Sequence, residues 1–127
     1  MKKYTIKYIC MLNFYNETGR PIVYTDDNVH LFSYSGRPVA YIHGNLIYTF
    51  SGRHIGFFVD GWIRDLNGYC VFFSENATGG MLKPLRQLLP LKSLKQLMPL
   101  KSLRQFPSYM PFKRTAWSRY SDLNFFS

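Results

Sequence analysis

Gly19-Arg20-Pro21-Ile22-Val23-Tyr24 returns, nearly unchanged, as Gly36-Arg37-Pro38-Val39-Ala40-Tyr41. The theme recurs more loosely as Gly52-Arg53-His54-Ile55-Gly56-Phe57 and Gly68-Tyr69-Cys70-Val71-Phe72-Phe73, so the glycines stand 17, 16 and 16 residues apart. β-Branched and aromatic residues follow each glycine, which is strand chemistry. A turn signal comes next: Asp26-Asp27-Asn28, His43-Gly44-Asn45 or Asp60-Gly61. A second strand-like run closes each unit, at Val29–Phe32, Leu46–Phe50 and Trp62–Leu66. Asp60-Gly61, between Val59 and Trp62, is the sharpest hairpin signal, because a type I′ turn needs positive φ at both central residues. Ser35-Gly36, Ser51-Gly52 and Asn67-Gly68 add turn chemistry where one unit meets the next. The chain reads as sequential β-hairpins, with Lys7–Tyr15 as the closing strand of an incomplete first unit.

A lone two-stranded hairpin is marginal in water, so such units must bury their aromatic faces against one another. Aromatic residues make up 18% of the 127-residue chain, a large apolar reserve for that purpose. About four hairpins form a meander, a closed barrel or a radial array. Repetition favours the radial or closed forms, which leave few bare strand edges. An all-β fold is therefore expected.

A second repeat follows the first. Leu82, Leu85, Leu88, Leu91, Leu94, Leu97, Leu100, Leu103, Phe106, Tyr109 and Phe112 place an apolar residue at every third position without a gap. A second register is mainly basic: Lys83, Arg86, Lys92, Lys95, Lys101, Arg104 and Lys113. The third holds only Pro, Gln and Ser until Arg114. An α-helix turns 100° per residue, so a three-residue step would spiral the leucines around it, and five prolines oppose a helix independently. Polyproline II has three residues per turn and accepts proline, so it is the conformation expected for residues 82–114. At ~3.1 Å per residue such an arm would extend roughly 100 Å, far beyond the ~13 Å radius of gyration of a small domain. It must wrap its own body, project from it, or associate with copies. Leaving a leucine edge in water costs about 1.5–3 kcal/mol per side chain, so the edge Leu85, Leu88, Leu91, Leu94, Leu97, Leu100, Leu103 and Phe106 is expected to be covered, first by the body and second by a partner.

The organisation expected is thus a hairpin body over residues 1–81, a basic triplet arm over 82–114, and a short tail over 115–127 that docks on the body. Charge follows the same division. Net charge is +1 over residues 1–81 and +8 over 82–127.

The Gly-x-Pro-Val-Ala-Tyr-Ile units, Asp60-Gly61-Trp62-Ile63, the Leu-basic-Pro triplets and the closing Trp117-Ser118-Arg119-Tyr120-Ser121 with Phe125-Phe126 resemble the bacterial four-fold beta flower proteins. The likeness covers roughly Gly19 to Ser127. It implies a four-fold arrangement of hairpins with no established activity, and it transfers no catalytic residues. His54 and Cys70 stand where the first two units have proline, and the last unit fades after Ser74.

No phosphate-cradling glycine loop, paired-histidine metal motif or nucleophile elbow occurs in the sequence, so no enzyme activity, cofactor, metal or small-molecule substrate is expected. The functional reading is a non-catalytic structural or interaction protein, its arm packed on the body, on another copy or on another protein. The alternative is a binder of anionic surfaces, nucleic acid or membrane, through the line Lys83, Arg86, Lys92, Lys95, Lys101 and Arg104. Arg20, Arg37 and Arg53 are equivalent by repeat, and on a ring their guanidinium groups could hold an anion; otherwise each lies along a neighbour's aromatic surface. His54 and Cys70 share a repeat position, but two ligands are too few for a metal. Cys10 and Cys70 read as buried thiols, with a disulfide as the alternative. Tyr4–Phe14 is short, holds Lys7 and lacks a cleavage signal, and no apolar run reaches membrane-spanning length, so a cytoplasmic location is the default expectation.

Overall fold

The computed structural model describes residues 11–127. Eight antiparallel strands run in chain order: β1 (Leu12–Tyr15), β2 (Pro21–Thr25), β3 (His30–Ser33), β4 (Pro38–His43), β5 (Leu46–Tyr48), β6 (His54–Val59), β7 (Trp62–Asp65) and β8 (Cys70–Ser74). Each pairs with the next, and β1 pairs with β8 through Phe14–Ser74 and Tyr15–Phe73, so the sheet closes into a barrel. The unit that fades after Ser74 is completed by β1. Four hairpin units result: β2–β3, β4–β5, β6–β7 and β8–β1. Closure removes every free strand edge from a short-stranded sheet.

Four-fold regularity extends to the defects. The register slips at Phe14/Tyr15, Leu31/Phe32, Ile47/Tyr48 and Ile63/Arg64, always next to the glycine turn. In each turn the polar residue at the strand end, Asn16, Ser33, Thr49 or Asp65, accepts the amide of the glycine three residues on. Its side chain also accepts the amide of Arg20, Arg37, Arg53 or Tyr69 at 3.0–3.3 Å. Gly19, Gly36, Gly52 and Gly68 have φ between 82° and 93°, a conformation that disfavours a side chain. At the opposite end Asp60 (φ 54°) and Gly61 (φ 83°) make the two-residue turn that their sequence predicts.

Successive strand residues alternate between two faces. Phe14, Val23, Leu31, Ala40, Ile47, Ile63 and Phe72 fill the interior and are all completely buried. Their neighbours Tyr15, Tyr24, Phe32, Tyr41, Tyr48, Trp62 and Phe73 line the outer wall, where they are 1–3% exposed. They form three separate aromatic clusters. An outer wall this buried needs a cover.

The arm and the tail supply it. From residue 82 to 114 the chain forms neither helix nor strand. Beyond it, Ala116 and Ser118 bracket Cys70 with two backbone hydrogen bonds of 3.0 and 2.7 Å. Trp117 packs against Trp62 and Phe73 with ring centres 5.7 and 6.3 Å away. A single 3₁₀ turn, Leu123–Phe126, is capped by the Asp122 side chain and drives Phe125 and Phe126 against Phe72. Together they plug the barrel mouth on the glycine-turn side.

Candidate interaction surface: a belt with its apolar edge outward

The arm is strapped to the barrel in a fixed register. The Gln87 amide donates to the Gly19 carbonyl, Gln96 to Gly36, Gln105 to Gly52 and Arg114 to Gly68, at 2.8–3.1 Å. Every donor lies nine residues after the last, and each takes the next hairpin unit. A Cβ on Gly19, Gly36, Gly52 or Gly68 would come within 2.0 Å of the carbonyl oxygen of Leu85, Leu94, Leu103 or Phe112, again nine apart. Ser93 and Ser102 add bonds to Tyr34 and Phe50 at 2.9 and 2.8 Å. Nine residues before and after this pair stand Pro84 and Pro111, which have no N–H to give. The arm therefore passes all four units in turn, and the triplets group into nonapeptides, one per hairpin.

The basic edge faces the wall. Arg86 lies over Tyr15, Lys92 over Tyr24, Lys95 over Phe32, Lys101 over Tyr41 and Arg104 over Tyr48, with the charged group 4.6–5.8 Å from the ring centre. Long aliphatic stems cover aromatic surface while the heads stay in reach of water. The pattern breaks in the fourth unit for a charge reason. Arg64 occupies the wall position held elsewhere by Tyr15, Phe32 and Tyr48, and its guanidinium donates to the Gly68 and Arg114 carbonyls at 2.7 and 2.9 Å. Lys113, the nonapeptide equivalent of Arg86, Lys95 and Arg104, instead pairs with Asp60 at 3.3 Å. Lys95 also reaches Asp26 at 2.6 Å. Lys83 caps the Ala77 carbonyl. The positive line read from the sequence is thus spent on rings, carboxylates and carbonyls of its own body.

The leucine edge lies on the side away from the wall. Leu82 through Phe112, eleven apolar side chains, are each 90–98% exposed. This corrects the expectation that the body covers Leu85, Leu88, Leu91, Leu94, Leu97, Leu100, Leu103 and Phe106. The body does hold the arm in cis, but through backbone carbonyls and cation–ring contacts. A three-residue period offers three edges to a wall, and here the wall was already apolar and ringed with unpaired carbonyls. Donors and cations satisfy such a surface better than leucines do.

Arg20, Arg37 and Arg53 all project at the glycine-turn end and are exposed. They do not converge on one site: each borders its own cleft, of about 370, 390 and 460 Å³ respectively. Arg53 donates to the Ser127 backbone oxygen. His54 and Cys70 sit on β6 and β8 with β7 between them. His54 is fully bonded as a neutral ring, Nε2 donating to the Gly56 carbonyl at 2.9 Å and Nδ1 accepting the Ser108 amide at 3.1 Å. Burial lowers its pKa below the usual histidine value. Burial likewise raises the Cys70 thiol, which points at the Arg114 carbonyl. Cys10 lies outside the described residues, so the disulfide reading falls there too. Among the described residues no cluster of three His, Cys, Asp or Glu side chains could hold a metal.

A closed eight-stranded barrel of four hairpin units, belted by its own C-terminal arm, is the class of protein that these features define. The family model described as 4-fold beta flower protein matches residues 12–126, and the chain belongs to that family. The family's description names a shape and no reaction. Comparison with curated proteins and with solved structures gave no match.

Proposed function

We propose that the chain is a non-catalytic interaction protein whose working surface is the outward apolar edge of the arm, residues Leu82 to Phe112. One observation carries this reading: eleven consecutive members of a three-residue register stand almost bare on a segment whose other contacts hold it to a barrel. Ordinary monomers keep their largest apolar patch within about 300–600 Å². At about 60–120 Å² per side chain, by area bookkeeping, eleven of them exceed that range. The barrel serves as a spool that displays the edge at four similar positions.

Binding of an anionic surface through Lys83, Arg86, Lys92, Lys95, Lys101 and Arg104 is the weaker reading, because those cations already engage rings, the Asp26 carboxylate and the Ala77 carbonyl of the body. The test compares the native protein with a Leu91→Ser/Leu94→Ser/Leu97→Ser variant, whose fold is checked by circular dichroism. The surface reading expects the variant to bind less of an apolar fluorescent dye and to stay soluble at higher concentration. Equal dye binding would refute it. A duplex DNA fragment supplies the contrast: tight binding that collapses with rising salt would favour the basic edge instead.

A further inference from the structure

We propose that the occupant of the leucine edge is a second copy of this chain, and that each molecule offers several equivalent faces, so that association proceeds beyond a dimer. The proposal rests on the surface reading above and names its partner. Area is the first argument. The whole edge presents on the order of 1,000 Å² of apolar surface, divided among four units, so one ridge falls short of the ~800 Å² that one partner gives to a standard interface and association draws on several such contacts together.

Charge is the second argument. The chain carries a formal net charge of +9, which would set copies against each other if its cations lay on the contact face. They do not. The register from Leu82 to Phe112 holds no charged residue. The cations between its members turn inward, Lys92, Lys95, Lys101 and Arg104 over rings and Lys113 to Asp60. A face stripped of charge on a cationic protein suits a like-charged partner and gives an anionic one little to hold.

Repetition is the third. Leu82-Leu85-Leu88, Leu91-Leu94-Leu97 and Leu100-Leu103-Phe106 are three equal ridges, and Tyr109-Phe112 begins a fourth that ends at Thr115. Each is fastened to its own hairpin unit by the bonds to Gly19, Gly36, Gly52 and Gly68. In a three-residue-per-turn chain neighbouring ridge residues are ~9 Å apart, wide enough for a second identical ridge to seat its side chains between them. The ridges belong to successive units around a closed barrel, so a single neighbour cannot cover them all. One copy bound leaves further ridges bare for the next, which is the geometry of open-ended self-association.

Sedimentation velocity across a concentration series tests this, using full-length protein and two variants. One variant carries Leu→Ser at Leu91, Leu94 and Leu97; the other carries it at every leucine of the three ridges and at Phe106. These side chains touch solvent and not the body, so the barrel should fold, and circular dichroism checks it. Expected are species larger than dimers for the native chain, a smaller average species in the first variant, which keeps its other ridges, and a monomer in the second. Sodium chloride should leave the association intact, and sulfate should strengthen it. A native chain that stays monomeric overturns the proposal. If that monomer floats with vesicles of equal parts phosphatidylcholine and phosphatidylglycerol, and the ridge variants do not, the surface reading survives with a lipid occupant. If native and variants behave alike throughout, both fail. Association unchanged in the full variant also overturns both.

Discussion

The barrel and the arm solve the same accounting problem in opposite ways. In the barrel each strand pairs laterally with a neighbour on either side, and the apolar side chains can turn inward to Phe14, Leu31, Ile63 and Phe72. The arm has no partner strand of its own. It finds its hydrogen-bond acceptors on the barrel's four glycine turns, and meeting those acceptors decides which edge faces the wall. Leucines consequently face out. An apolar residue is buried only when the backbone's needs permit it, and here the backbone's needs won.

The largest way to break the comparison is to push arm and barrel apart at one turn. Gly36→Ala puts a methyl 2.0 Å from the Leu94 carbonyl and forces a side chain into φ 92°, whereas Gly44 (φ 65°) has nothing within 4 Å of its would-be methyl. Gly36→Ala should cost about 3 kcal/mol in thermal or urea unfolding and Gly44→Ala about 1 kcal/mol. Equal costs would mean that the arm does not press on the turn.

The next effect is one of pH. His54 joins barrel to arm as a neutral ring, and its pKa in the folded state lies below the ordinary 6.5 because burial disfavours the charged form. The unfolded chain therefore takes up the proton more readily. Stability from this group is complete above pH 6.5 and declines as pH falls from there toward the depressed value. Tyr48, Phe57, Gln105 and Ser108 surround the ring, and the Arg104 guanidinium lies over Tyr48. His54→Gln should flatten the unfolding free energy just below pH 6.5, above the range in which carboxylates such as Asp27 titrate, an outcome read from urea midpoints in buffers on either side of pH 6.5. A slope that persists in the variant would assign the effect elsewhere.

The smallest effect separates charge from stem in the belt. Lys101→Met keeps the aliphatic cover over Tyr41 and loses the cation, whereas Lys101→Ala loses both. Lys101→Ala should destabilise by about 1 kcal/mol and Lys101→Met by about half as much, in the same unfolding assay. A methionine variant as damaged as the alanine one would make the cation the whole of the contact.

Much of the barrel was legible in the sequence, for reasons tied to particular residues. Glycines 16 or 17 apart mark turns that need positive φ, and Asp60-Gly61 specifies its own turn type. The completion of the last unit by β1 was less visible, because its two strands, Cys70–Ser74 and Leu12–Tyr15, stand at opposite ends of the hairpin repeat. In the arm, the period of three was plain but ambiguous. Three edges were readable, and nothing in their spacing said which would meet the wall. The finer period of nine is written in Gln87, Gln96 and Gln105, each following a leucine and a basic residue. The unbroken leucine register masks it, since three divides nine. Arg64 in place of an aromatic, with Lys113 displaced to Asp60, makes sense only once the two repeats are set in register.

Amide hydrogen exchange along the arm tests that register most directly. With the arm strapped as described, the amides of Gln87, Ser93, Gln96, Ser102, Gln105 and Arg114 should exchange slowly, and those of Leu91, Leu94, Leu100 and Leu103 between them should exchange rapidly. Protection would then recur every nine residues on a segment without helix or strand. Uniformly fast exchange from residue 82 to 114 would contradict the account, and so would protection concentrated on the leucine amides.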